Sequence, residues 1–101
     1  MNTLYIDTAE MGKVKVSLDV GDRRLEKDSA QKFGSQVLLG LIEQILKDAK
    51  LQKSDLDKVK VATGPGSFTG LRIGVAVANA LAFGLNIPVN DKKLETELKY
   101  E

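Results

Sequence analysis

At 101 residues, with 43% apolar and 29% charged side chains, the chain is one domain, able to form a real core but near the lower end of comfortable stability. It has no cysteine and no histidine, which excludes disulfides, thiolate nucleophiles and cysteine zinc sites and removes the commonest general base and metal ligand. A net charge of +1 gives no global field toward nucleic acid or membrane.

No basic region followed by an apolar run opens the chain, so no targeting segment is expected. The longest apolar stretch, rich in Ala and Val, is expected to be too short and too interrupted by Gly and Asn to cross a bilayer. A cytoplasmic location is the resulting expectation.

Alternation over Thr3 to Asp7 predicts a short strand with Leu4 and Ile6 on one face and Tyr5 on the other. Lys13 to Asp19 alternates more cleanly, with Val14, Val16 and Leu18 inward. Val20-Gly21-Asp22 is turn chemistry, and Arg23 to Lys27 returns as a weaker strand, polar enough to belong at an edge. Asp28 to Phe33 reads as a loop. Helix one is expected from about Ser35 to Lys50, where Val37, Leu38, Leu41, Ile42, Ile45, Leu46 and Ala49 form an apolar stripe and Glu43 can pair with Lys47. Leu39 falls off that stripe. In the connector Leu51 to Asp57, Ser54-Asp55-Leu56-Asp57 has the form of a capping box. Lys58 to Thr63 predicts a fourth strand, Leu71 to Phe83 a second helix, and Asn86 to Val89 the start of a last strand with Pro88 at its start or edge. From Asn90 to Glu101 the composition shifts to Lys, Glu and Asp, with Leu94 and Leu98 four apart. This part is a short helix or a frayed tail, so the domain is drawn over 1–89 and the tail over 90–101.

The chemistry-bearing stretch is Gly64-Pro65-Gly66-Ser67-Phe68-Thr69-Gly70-Leu71-Arg72-Ile73-Gly74, a strand-to-helix turn. Gly64 and Gly66 give backbone freedom, Pro65 fixes φ between them, and Ser67 or Thr69 can cap the helix. Such a turn can also cradle phosphate at a helix N-terminus. It is neither a Walker A loop nor a dinucleotide fingerprint, since both spacings fail. The residues alone leave a structural turn (Gly64, Pro65, Gly66, Gly70) and an anion site both open.

GPGSFTGLRIG, followed by an Ala-rich helix and Ile87-Pro88, closely resembles the signature of the TsaB (YeaZ) family. Leu4-Tyr5-Ile6-Asp7-Thr8 is similar to that family's first strand, and Gly34-Ser35-Gln36-Val37-Leu38-Leu39 sits where its first helix begins. The likeness covers about residues 3–89. The family's usual His-Ser-Gln is Gly34-Ser35-Gln36 here, and family members usually run to twice this length with a second lobe. The charged ending has the look of a finished terminus for a short, one-lobe form. With the order β-β-β-α-β-α-β, the resemblance implies an α/β fold. It would be a single ribonuclease-H-like lobe of the actin, sugar-kinase and heat-shock-ATPase kind, a mixed sheet of about five strands with two main helices.

The resemblance also implies a function. TsaB is the non-catalytic paralogue in the bacterial machinery that makes threonylcarbamoyl-adenosine next to the tRNA anticodon. This chain would then be a pseudo-enzyme scaffold that activates a TsaD-like catalytic subunit, forms a homodimer when alone, joins a TsaE-like ATPase in a larger complex and meets tRNA only indirectly. TsaD is recognised by a His-x-x-x-His metal motif that a chain without histidine cannot supply. No catalytic residue, metal or cofactor is expected, and no membrane partner.

The competing reading is an enzyme remnant that handles nucleotide or phosphate with Asp7, Thr8 and the Gly64–Gly70 turn; Gly66 and Ser67 complete its candidates. In two-lobed ATPases of this fold an Asp ending strand one helps hold Mg²⁺. The plainer reading is a carboxylate that accepts from backbone donors in the next turn, since one carboxylate is a poor catalytic set. A third reading is a homodimeric interaction protein.

Helix two is apolar nearly all round and needs cover on more than one side. Gly70, Gly74, Ala78 and Ala82 recur every four residues, a strip along which another helix could approach, or simply core. Carried over from the family, the interface candidates are Leu38, Leu41, Ile42 and Ile45 on helix one and Arg72, Val75, Ala76 and Asn79 on helix two. Ala78→Arg or Leu41→Asp would be expected to break association. Lys13, Lys15, Arg23, Arg24 and Lys27 on the hairpin could touch tRNA phosphate, but the interleaved Asp19, Asp22, Glu26 and Asp28 make a mixed solvated face the simpler reading.

Overall fold

Residues 1–10, 12–29 and 34–96 are described by the structure, a computed structural model. Three strands, β1 (Asn2–Asp7), β2 (Val14–Val20) and β3 (Arg23–Ser29), form an antiparallel meander. Helix α1 (Ser35–Asp48), a 3₁₀ turn (Lys53–Asp55), β4 (Lys58–Val61) and helix α2 (Phe68–Leu85) follow. The sheet order is β3-β2-β1-β4, with β4 parallel to β1. The sheet is therefore mixed and four-stranded; Val89 adds one isolated parallel bridge to Val59 where a fifth strand was expected. Residues 30–33, expected as loop, and Leu98 of the expected terminal helix lie outside the described residues, while Asp28 and Ser29 extend β3.

The register fixes the layers. Leu4 faces Leu18 and Val59, and Ile6 faces Val16 and Val61, so these residues share one face and are all buried. Both helices cover that face. Leu38, Ile42, Ile45 and Leu46 of α1 and Val75, Ala78 and Ala82 of α2 complete the core. At about 25 cal/mol per Å² of apolar surface removed from water, this shared core is the main source of stability.

Local chemistry sets the ends of the helices. Ser67 caps α2 with its hydroxyl accepting from the Gly70 amide at 3.2 Å, so α2 starts three residues earlier than its apolar run suggests. Asn86 ends it in the left-handed region (φ 57°), with the Ile87 amide bonded back to the Ala82 carbonyl at 3.0 Å. At 18 residues α2 is long and apolar enough to cross a membrane, which corrects the expectation that it is too short. Its inner side is packed on the sheet. The 3₁₀ turn is capped by Gln52 with Asp55, two residues earlier than the Ser54–Asp57 box expected, the Gln52 backbone amide donating to the Asp55 carboxylate at 2.8 Å. Among the described residues Glu43 and Lys47 form no ion pair; in α1 it is Asp48 that pairs, with Lys27 of β3 at 2.8 Å.

Candidate functional site

The glycine turn brings the end of β1 against the start of α2. The Ser67 amide donates to the Ala9 carbonyl at 2.7 Å, and the Thr8 hydroxyl, fully buried, donates to the Gly70 carbonyl at 2.6 Å. A Cβ on Gly66 would run into the Ala9 carbonyl oxygen, one on Gly70 into the Thr8 carbonyl oxygen, and one on Gly74 into the Thr8 hydroxyl. The three glycines therefore admit β1's exit to the helix surface. Gly64, at φ 122° before a cis Pro65, makes the bend that sends the chain there.

Each weak phosphate candidate has a structural partner in or beside this contact. Thr8 is spent on Gly70, Ser67 on the cap, and Gly66 on Ala9. Asp7 is exposed, and its carboxylate accepts from the Ala9 amide at 3.0 Å, the plainer of its two readings. The turn is built as a joint.

The strip Gly70, Gly74, Ala78 and Ala82 is buried inside the domain, Gly70 and Gly74 against Thr8 and Ala78 and Ala82 in the core, so it is an inner side of α2 and not an exposed approach for a partner's helix. Four of the eight interface candidates likewise lie in the core: Leu38, Ile42, Ile45 and Val75. For the three on α1 the reason is that the apolar stripe of this helix packs into the core, and Val75 lies on the inner side of α2. Ala78→Arg would thus place a guanidinium in the core. Leu41 is half-buried beside that core, and Asn79 is half-buried and bonded to the Glu95 backbone. Arg72 and Ala76 do face outward.

Around them is a surface the residue pattern did not single out. On α2 Phe83 is 84% exposed and Phe68 52%, with Ala76 and Ala80 exposed at positions between them along the helix, and on α1 Leu39 is 44% exposed. Arg72 lies over the Phe68 ring at 5.3 Å, a cation on an aromatic at the edge of this patch. Two signals were available in the residues, Leu39's position off the stripe and the apolar character of helix two nearly all round.

The opposite face of the sheet is polar and, among the described residues, carries no helix. Arg24 forks onto Asp19 at 2.7 and 3.0 Å and lies over Tyr5 at 4.8 Å, while Lys15 is 4.0 Å from Glu26. Arg24's hydrogen bond holds the Asp19 carboxyl below the usual carboxylate range. With Lys27 on Asp48, three of the five basic hairpin residues are paired, as in a mixed solvated face.

Residues 28–91 match the family model described as TsaD: tRNA N6-adenosine threonylcarbamoyltransferase. The chain belongs to this family. Its named relatives place it with the TsaB (YeaZ) proteins: it is 33% identical over 89 residues to the tRNA threonylcarbamoyladenosine biosynthesis protein TsaB of Haemophilus influenzae, covering 88% of this chain and 38% of that one. To TsaB of Bacillus subtilis it is 47% identical over 49 residues, which is 48% of this chain and 21% of the relative. A crystal structure of an uncharacterized Pseudomonas aeruginosa protein with similarity to peptidase YEAZ superposes with a TM-score of 0.82 at 32% identity, over 87% of this chain and 41% of that one. The chain thus spans about two fifths or less of the length of these TsaB and YeaZ relatives.

Proposed function

We propose that this chain takes part in tRNA threonylcarbamoyladenosine biosynthesis as a non-catalytic partner subunit, docking on a TsaD-like catalytic subunit through the outward face of α1 and α2. The names of its relatives support the pathway. The observation that carries the docking reading is the 84% exposure of Phe83 on a helix whose neighbouring outward positions are Ala76 and Ala80. A large aromatic held in water beside small side chains gives a partner helix an anchor and room to approach closely. Of the family-derived set Arg72 and Ala76 stay on this face and Leu41 and Asn79 are half-buried, while Leu39, Phe68, Ala80 and Phe83 replace its four core members. The enzyme reading has less support, because Thr8 and Ser67 already make bonds within the joint and the exposed Asp7 accepts from the Ala9 amide.

The test is calorimetric titration of the chain into a TsaD-like subunit. Phe83→Asp and Ala80→Arg should each weaken binding by at least about tenfold while leaving the melting curve in place, since both positions are exposed. Folded variants that bind like the parent would refute the docking face. Heat from ATP and Mg²⁺ binding to the isolated chain would instead support the phosphate-handling alternative.

A further inference from the structure

After Val89 the chain does something a fifth strand would not. Asn90 and Asp91 both take positive φ (51° and 64°), and the Val89 and Lys92 amides and carbonyls bond to each other at 2.8 and 2.9 Å. This is a two-residue reversal of the hairpin type that Asn and Asp favour. It ends the strand after a single bridge and would leave the outer edge of β4 bare at Val61. That edge is closed by a side chain. The Val61 amide donates to Asn90 Oδ1 at 2.9 Å, and Asn90 Nδ2 donates to the Val61 carbonyl at 3.1 Å. A carboxamide carries the same donor and acceptor as a peptide group, so Asn90 stands in for the missing strand.

A second carboxamide pins the returning chain. Asn79 Nδ2 on α2 donates to the Glu95 carbonyl, and the Glu95 amide donates to Asn79 Oδ1, both at 2.8 Å. Glu95 is itself only 5% exposed, its carboxylate 2.9 Å from the Lys92 ammonium. Residues 89–96 thus form a strap fixed at two points by two asparagines. Under it lies Lys58-Val59-Lys60-Val61, a short Val-rich edge strand of the kind that templates pairing with other molecules when left open.

We infer that this strap is an edge cover: it keeps a second copy of the chain from adding to the sheet at β4. It concerns a different surface from the docking face and does not rest on it. The test is run with Phe83→Asp present throughout, so that association through the helices does not contribute. Asn90→Gly preserves the left-handed turn and removes only the carboxamide; Asn79→Ala leaves α2 helical. Circular dichroism establishes that the variants are folded. With Asn90→Gly, the Val61 amide should exchange with solvent at least about tenfold faster, while the Val59 amide, bonded to the Pro88 carbonyl, stays protected. With both substitutions, sedimentation should show a concentration-dependent dimer where the Phe83→Asp parent shows a smaller mass. Unchanged exchange at Val61, or a doubly substituted chain whose mass stays at the parent value at every concentration, would overturn the inference.

Discussion

Gly70→Ala tests the joint between β1 and α2. In an ordinary helix this substitution is favourable by about 1 kcal/mol, because alanine loses less backbone entropy than glycine. Here the new methyl would meet the Thr8 carbonyl oxygen, a backbone atom that has no rotamer to escape into. The helix start must move off the strand, which costs about 1–3 kcal/mol as overpacking. The same movement weakens the Thr8 hydroxyl bond to Gly70 and the Ser67 amide bond to Ala9, each worth about 1 kcal/mol or more where the groups are buried. After the helix-propensity gain is subtracted, the expected net loss is about 3 kcal/mol, or roughly 15 °C in melting temperature for a domain of this size. Urea and thermal unfolding read it directly. Gly40→Ala in α1 and Gly84→Ala near the end of α2 are the controls, since a Cβ at either meets nothing within 4 Å. They should be neutral or stabilising by up to about 1 kcal/mol. If Gly70→Ala behaves like these controls, the joint is not packed as described.

Two further outcomes follow from the same geometry. Ile42→Ala, at a position 1% exposed, should cost about 2–5 kcal/mol in unfolding experiments and should not act as a selective interface variant; loss of partner binding without loss of stability would restore Ile42 to the docking face. Asp19 has its folded pKa lowered by Arg24, so the contribution of that pair is complete above the ordinary value of 3.8 and is lost as pH falls through the lower folded value. The melting-temperature difference between the parent and Asp19→Asn should therefore hold at neutral pH and close only below 3.8, the pair being small in effect because it is exposed; a difference that closed already near neutrality would assign the effect to another group.

Much of the fold was legible because the signals were local. Val14, Val16 and Leu18 could only be the inner face of a strand, and the α1 stripe could only be one buried face. The family signature from Gly64 to Gly74 was equally plain, and the relatives bear it out. The site was less legible. Helix α2 is apolar around most of its circumference, so periodicity gave it no inside, and the small-residue strip was open to either reading. The two strap asparagines carried only a weak sign, an Asn-Asp turn pair at 90–91, and nothing in spacing alone links Asn79 to Glu95.

Local pattern and turn chemistry were thus enough to determine four strands, two helices and their order along the chain, because each depends on neighbours within a few residues, while the family came from the likeness of Gly64 to Gly74 to a known signature. Which side of α2 faces water, what the glycines make room for, and how the edge of β4 is closed depend on contacts between residues 16 to 62 positions apart. Tertiary packing decided these points, because a side chain can be buried once only, and the sheet had first claim on both helices.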